Sequence, residues 1–247
     1  MKKKTETTDG PTTVREDDEI AVAERAPAAC DNATDAVAGM CGDVVAAVKR
    51  KPRGRPLSFN RDAALETAMH VFWERGYEAA SIADLTAAMG ITPPSLYTAF
   101  GDKEHLFLET VERYALNFGS AGTRALKEEA TAYGAIERWL LEAANELTEP
   151  CHPKGCMVVM AATNCSAAAE RVQDALLLRR TENLAEVSRR IQGGIDKGEL
   201  PGNTCPVELA NFYGAVFQGM SMQAKDGATR EGLLRTVKTA MRAWPAE

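Results

Sequence analysis

A short basic segment is the first place where side-chain types and spacing indicate a particular chemistry. Residues 49–61 contain six Lys or Arg and no acid, whereas the whole chain has a formal net charge of −6 at pH 7. Within this segment Arg53 and Arg55 flank Gly54, with a proline outside each arginine. A narrow extended segment with two guanidinium groups fits the minor groove of A·T-rich DNA. The alternative is a solvated run of charge at a domain edge.

A group of thiol and imidazole side chains is the second candidate. Cys151, His152 and Cys156 lie close together, and Cys165 follows nine residues after Cys156. Such ligands suit zinc or copper and favour a metal-responsive site. A thiol near His152 and Lys154 at a helix start also favours a lowered thiol pKa and a sensor of oxidants or electrophiles. The spacing matches no common zinc motif, and for Cys156 the alternative is a small buried residue.

Patterns typical of catalysis are missing from the sequence. Its three histidines are His70, His105 and His152, and neighbouring Cys and His residues on a loop rarely form a productive nucleophile pair. No phosphate-binding glycine loop and no paired carboxylates stand out. We therefore expect no enzymatic activity and no cofactor.

Composition predicts a helical protein of the cytoplasm. The chain is rich in Ala, Glu and Arg, and only 6% of its residues are aromatic, which favours helices. Its longest apolar run, near residues 157–162, is too short to cross a bilayer, and the N-terminus lacks a signal-peptide core. The six cysteines are too sparse for a disulfide framework, so we expect thiols.

Charge and periodicity divide the chain. Residues 1–48 have a net charge of −5 and no sustained periodicity, which predicts a disordered tail. Residues 49–59 form the basic arm. After it, cap and stop residues such as Asn60, Ser81, Gly90 and Gly101 predict helices over 61–75, 82–89, 93–100 and 102–118. Further helices are predicted near 133–147, 155–164, 168–197, 206–223 and 229–243. No strand period is found, so the predicted fold is all-α.

The second and third helices form a helix-turn-helix pattern through Gly90, Ile91 and Thr92. In such a motif the first helix crosses the phosphate backbone and the second enters the major groove. An ordinary helical hairpin is the alternative for this spacing alone. The basic arm upstream and Lys103, placed to meet a phosphate, favour the DNA-binding interpretation.

A dense resemblance to a known family covers about residues 57–115. This part resembles the DNA-binding domain of the TetR family of transcriptional regulators, through the stretch ALETAMHVFWERGYEAASIADLTAAMGITPPSLYTAFGDKEHLFLETVERY. The residues in register are Phe72, Gly76, Tyr77, Ser81, Ile82, Leu85, Ala88, Gly90, Tyr97, Phe100, Lys103 and Leu106. The later helices resemble the family's regulatory domain in arrangement only, and KPRGRP resembles the core of the AT-hook motif.

The resemblance implies a homodimer on a palindromic operator in double-stranded DNA, released when a small molecule binds. It implies a DNA-binding domain over 60–118, whose fourth helix links it to an effector-binding and dimerisation bundle over 119–247. The implied major-groove contacts are Thr92, Pro93, Ser95, Tyr97 and Thr98. Tyr97, Lys103 and Ser81 are the implied contacts to the DNA backbone.

The predicted recognition helix departs from common DNA readers. Between Thr92 and Ala99 there is no Arg, Lys, Asn or Gln, so bidentate base contacts are excluded. Hydroxyl, methyl and ring surfaces remain, and these suit thymine methyl groups. We expect much of the discrimination to come from Arg53 and Arg55 in the minor groove and from DNA shape.

The remaining helices are expected to hold the effector and the dimer contacts. By resemblance, the last two predicted helices pair with their copies, although packing within one chain is the alternative. Candidate lining residues for a small, largely apolar organic effector are Trp139, Met157, Met160, Phe212 and Phe217, for which plain core packing is the alternative. We expect a ligand-responsive repressor. A metal- or thiol-responsive regulator using Cys151, His152 and Cys156, and an architectural binder of A·T-rich DNA, are the alternatives.

Overall fold

The computed structural model describes residues 59–162, 165–166 and 169–245, apart from the side chain of Ala121. These residues belong to one compact unit. The predicted tail over 1–48 and most of the basic arm, including Arg53 and Arg55, lie outside the described residues.

Ten α-helices and a closing 3₁₀ turn are found in the described residues, which contain no strand, so the all-α prediction is confirmed. The first four are α1 (Arg61–Ala79), α2 (Ile82–Met89), α3 (Pro93–Phe100) and α4 (Lys103–Asn117). The next three are α5 (Ser120–Glu128), α6 (Ala132–Glu146) and α7 (Met157–Ala162). The last three are α8 (Glu170–Asp196), α9 (Pro206–Lys225) and α10 (Arg230–Ala240), with the 3₁₀ turn at Met241–Ala243.

Local capping sets the ends of the early helices. The Asn60 side chain accepts hydrogen bonds from the backbone at the start of α1. Gly76, predicted to end this helix, has φ 79° and interrupts it, but helical turns resume to Ala79. Ser81 and Asp84 form a capping box on α2, and Gly90 ends that helix in the left-handed conformation with φ 66°.

Helix α5 was not predicted. Its preceding residue, Gly119, provides no side-chain hydrogen bond to the first turn. Gly122 lies within the helix and lowers its intrinsic propensity. The helix forms because it packs against α6, where Gly122 leaves room for the Trp139 ring. Tertiary contact, which a local pattern does not contain, therefore decides this element.

Helices α1–α4 pack around an apolar centre that includes Phe72, Leu85, Leu96 and Phe107, each fully buried. The Phe72 and Phe107 rings meet edge to face with centroids 5.1 Å apart. Burying one such side chain contributes roughly 1.5–3 kcal/mol. This core fixes the angle at which α3 packs against α2 and α4.

Contacts from α1 join this helical head, residues 59–118, to the bundle that follows. The buried Trp73 indole donates a hydrogen bond from Nε1 to the Gly155 carbonyl at 2.9 Å. Near the end of α1, Glu78 Oε1 accepts from the Ser166 hydroxyl at 2.6 Å. One hydrophobic core runs through both parts, so the predicted division at residue 118 stays a prediction.

Candidate nucleic-acid interface and effector cavity

Helix α3 exposes one face and buries the other. Leu96 is fully buried and Phe100 is 4% exposed, whereas Tyr97 is 50% exposed. Thr92, Pro93 and Thr98 are also exposed, so most of the predicted major-groove residues share a solvent-facing surface with Tyr97. Ser95 is partly buried at its edge. We call this the recognition surface: Thr92, Pro93, Ser95, Tyr97 and Thr98.

Hydrogen bonds within α3 limit what its hydroxyl groups can do. Thr92 Oγ1 caps the helix by accepting from the Ser95 amide at 3.4 Å and lies 3.0 Å from Ser95 Oγ. Thr98 Oγ1 donates to the Pro94 carbonyl at 2.8 Å. Because its proton is already used, the Thr98 oxygen is suited to accept from a base amino group.

Ser81 is exposed at the start of α2, but its hydroxyl is engaged in the capping box. It donates to Asp84 Oδ2 at 2.6 Å and accepts from the Asp84 amide at 3.1 Å. Hydrogen bonds from Ser81 and from Arg75 lower the pKa of Asp84 to about 2. The carboxylate is therefore fixed beside the predicted phosphate contact of Ser81.

Lys103 begins α4 and contacts the end of α1. Its Nζ donates to the Glu78 carbonyl at 3.3 Å and lies 4.4 Å from the centre of the Tyr77 ring. Partial burial lowers the pKa of this ammonium group. The predicted phosphate contact of Lys103 thus competes with a contact inside the head.

The described head is acidic, although a basic arm precedes it. Residues 59–118 contain four Lys or Arg against nine Asp or Glu, a net charge of −5. The three arginines among them form ion pairs inside the head: Arg61 with Glu109 at 2.8 Å, Arg75 with Asp84 at 2.6 Å and Arg113 with Asp62 at 2.8 Å. The Lys and Arg residues of the segment 49–55 thus precede a head in which each arginine is already paired with an acid.

A cavity of about 770 Å³ opens among α4, α5, α6, α7, α8 and α9. The rings of Trp139 and Phe217 line it and stack with centroids 5.5 Å apart. Tyr114 and Phe118 bring the last turns of α4 into its wall. The same helix that starts beside α3 therefore ends at the cavity.

The predicted lining residues divide into two groups. Trp139 and Phe217 line the cavity, whereas Met157, Met160 and Phe212 do not. Met157 is fully buried in the core, and Phe212 is 41% exposed on the outside of α9. These three residues lie outside this cavity, and apolar character and helical spacing do not specify which side of a helix meets a cavity.

Polar atoms in the cavity wall lack partners among the described residues. They are Glu142 Oε2 and Arg180 Nη1, each buried without a hydrogen bond. The other oxygen of Glu142 accepts from Arg138 Nε at 2.7 Å. Sequence reasoning missed Glu142 and Arg180, which no local motif marks as neighbours of one cavity.

His152 is packed into the wall next to this cavity. Its side chain is 2% exposed and stacks on Trp73 with centroids 4.4 Å apart. Nδ1 lies 2.9 Å from the Pro153 carbonyl and must donate to it, since a carbonyl only accepts. Nε2 lies 2.8 Å from Glu146 Oε1, which is within ion-pair distance.

The thiols do not match the predicted sensor. Burial raises the pKa of Cys156, whereas the helix-start argument had predicted a lowered value, which is wrong. Burial likewise raises the pKa of Cys165, and Cys151 is exposed. Within the described ranges no three His, Cys, Asp or Glu side chains form a group able to hold a metal ion. The structure thus does not bring Cys151, His152, Cys156 and Cys165 together as ligands.

No helix in the described part of the chain is both long and apolar enough to cross a bilayer.

Comparison with known proteins places this architecture in a family. Residues 64–110 match the family model described as bacterial regulatory proteins of the tetR family, and residues 135–243 match a tetracyclin repressor-like C-terminal domain. The Escherichia coli K12 transcriptional repressor ComR is 35% identical over 197 residues, which cover 79% of this chain and 94% of ComR. The repressor BdcR of the same organism is 26% identical over 76% of this chain and 90% of BdcR.

A solved structure extends the match to three dimensions. A cysteine mutant of the TetR family transcriptional regulator CifR, in complex with a 26-bp double-stranded operator DNA, is 45% identical with a TM-score of 0.75. The match covers 77% of this chain and 100% of the CifR chain. The helix-turn-helix with its exposed α3, the helical bundle behind it and these matches give one conclusion: the chain belongs to the TetR family of transcriptional regulators.

Proposed function

We propose that this protein is a homodimeric repressor that binds a palindromic DNA operator and releases it when a small organic effector enters the cavity. The observation that carries the proposal is the recognition surface, an exposed helix face mounted on a fully buried Leu96. The names of ComR and BdcR as repressors and the operator complex of CifR support it. Binding to an operator would place the protein in the cytoplasm.

The proposed contacts follow the exposed groups. Thr92, Pro93, Ser95, Tyr97 and Thr98 meet base edges and thymine methyl groups in the major groove. The Tyr97 hydroxyl, Ser81 and Lys103 meet the DNA backbone. Lys103 reaches a phosphate only by leaving the Glu78 carbonyl, an exchange of a neutral acceptor for a charged one.

The proposed minor-groove contacts lie in the basic arm. The head carries a net charge of −5, so attraction to phosphates must come from elsewhere in the chain. Arg53 and Arg55 supply it immediately before α1. This charge distribution supports the arm as a DNA-binding segment rather than a solvated domain edge.

Helix α4 is the proposed route of release. Its first residue, Lys103, lies next to α3, and its last turns contribute Tyr114 and Phe118 to the cavity wall. An effector that displaces these rings would move α4 and change the separation of two paired heads. Half-sites have a fixed spacing, so a small displacement costs specific affinity.

The test replaces Tyr97 with Ala and measures binding to duplex DNA from the region beside the protein's own gene. Tyr97 is 50% exposed, so folding should be unaffected, while operator affinity falls by about tenfold or more, as for a lost specific contact. Tyr133→Ala, 40% exposed on α6, is the matched control and should bind normally. A footprint should show one protected palindrome; broad protection of A·T-rich DNA would support an architectural protein instead.

A further inference from the structure

The cavity combines a large apolar wall with a small number of unsatisfied polar atoms. Its volume of about 770 Å³ is within the usual range for binding a small organic molecule. The stacked Trp139 and Phe217 rings offer an apolar surface for the body of such a molecule. The charged groups in the wall therefore decide which polar group the molecule carries.

Of the charged side chains that line the cavity, Glu142, Glu146 and Arg180 have deeply buried atoms, and the two carboxyl groups have counter-charges inside the protein. Glu142 is bonded to Arg138 Nε at 2.7 Å. Glu146 Oε1 lies 2.8 Å from His152 Nε2, which is within ion-pair distance. Neither carboxyl group therefore demands a cationic ligand.

Arg180 differs from both. Its Nη1 is buried without a hydrogen-bond partner among the described residues. The ion pairs that the described residues of α8 form involve Arg171, Arg179 and Arg189. The residue as a whole is partly buried, but a guanidinium nitrogen held away from water without a partner costs free energy, which an incoming anion recovers.

We propose that the effector is an amphipathic organic acid whose carboxylate binds Arg180 and whose apolar body lies against Trp139 and Phe217. The guanidinium group presents a planar set of donors that matches a carboxylate. Glu142 lines the same cavity and repels an anion, so the ligand is held with its carboxylate at α8. This inference rests on the proposed function, since it names the effector of that regulator.

The probes are three molecules with one skeleton and different head groups: 6-phenylhexanoate, 6-phenylhexan-1-ol and 6-phenylhexan-1-amine. Binding to the full chain is measured by calorimetry, and release of operator DNA by fluorescence anisotropy of labelled DNA. The carboxylate should bind about tenfold or more tightly than the alcohol, the advantage of a charge-assisted hydrogen bond. The amine should bind most weakly.

Substitutions of arginines on α8 distinguish a specific role of the Arg180 guanidinium group from a general effect of removing positive charge. Arg180→Gln should remove the preference for the carboxylate over the alcohol, and Arg180→Lys should restore part of it. Arg171→Gln is the matched control, because Arg171 lies on the same helix outside the cavity wall and pairs with Glu104 at 2.6 Å. That variant should keep the full preference.

Equal binding of all three probes, stronger binding of the amine, no binding of the carboxylate, or an unchanged preference in Arg180→Gln would overturn the inference. Operator binding without any probe is measured for every variant. If the unliganded protein binds its operator while the carboxylate preference is absent, the effector class is wrong and the regulator remains. If no variant binds DNA, the proposed function itself fails.

Discussion

At the scale of single residues, burial and hydrogen bonding decide which reactive groups are available. Tyr97 presents half of its surface to solvent from a helix whose opposite side is fully buried. Cys156, by contrast, is 7% exposed and its amide donates to Ser221 Oγ at 2.8 Å. A tyrosine hydroxyl on this surface is open to a partner such as DNA, while this thiol is almost fully buried.

The cysteines provide a test at this scale. With iodoacetamide at pH 8 under native conditions, Cys151 should be alkylated rapidly, since it is exposed. Cys156 should react more than about tenfold slower, because burial blocks access and its raised pKa leaves less thiolate at this pH. Peptide mass spectrometry over time measures both rates, and unfolding in urea should make them equal. Comparable native rates would revive the thiol-sensor interpretation.

At the scale of elements, helix ends that depend on a local capping residue could be predicted from the sequence. Helices that depend on packing against another helix could not. Helix α2 begins and ends where Ser81 and Gly90 predict, and α3 ends where Gly101 predicts, because each residue acts on its own helix terminus. Helix α5 has no such cap and owes its existence to contact with α6. Arg180 and Glu142 enter one cavity only because α6 and α8 fold together, so no spacing along the chain could pair them.

The capping box on α2 predicts a pH-dependent response. Asp84 has a folded-state pKa of about 2, against an ordinary value of 3.8. Its contribution to folding stability is therefore complete above pH 3.8 and is lost as pH falls through about 2. In Ser81→Ala the pKa of Asp84 should rise towards 3.8, limited by Arg75. NMR titration of the Asp84 side-chain carboxyl carbon measures it. An unchanged value would mean that Arg75 alone sets this pKa.

Close packing of α8 on α9 gives a second prediction for elements. A Cβ at Gly214 would collide with the Leu184 side chain, so Gly214→Ala should lower the free energy of unfolding by about 1–3 kcal/mol. Gly193→Ala, in α8, meets no atom within 4 Å and should instead stabilise by about 0.5–1 kcal/mol. Urea unfolding at one protein concentration compares them. Shifts of the same sign would contradict the packing argument.

At the scale of the whole molecule, charge is arranged against non-specific binding. The chain has a net charge of −6 and the head −5, so duplex DNA is repelled except where the basic arm meets it. The sequence showed the arm, and the structure adds that the arginines of the head are already paired with acids. Affinity is therefore expected to depend on a few cations.

Removing two of those cations should change the salt dependence of operator binding. For Arg53→Ala with Arg55→Ala, the slope of log affinity against log salt should fall in magnitude by up to about 2, near 0.9 for each lost phosphate contact. Arg15→Ala with Arg25→Ala, in the tail, is the matched control of equal charge. Titrations at several salt concentrations measure the slope, and identical slopes for both double variants would refute a role for the arm.

The hydrogen bond from Trp73 to Gly155 gives the molecule a built-in optical reporter. Gly155 is followed directly by Cys156, which lines the cavity, while the indole belongs to the head. Of the three tryptophans, Trp139 lies in the cavity wall and Trp244 beside Tyr133. With Phe at those two positions, the emission wavelength of Trp73 would follow the junction alone. The emission maximum would stay at short wavelength while the indole remains buried. It would move to longer wavelength once a bound effector separates the head from the bundle.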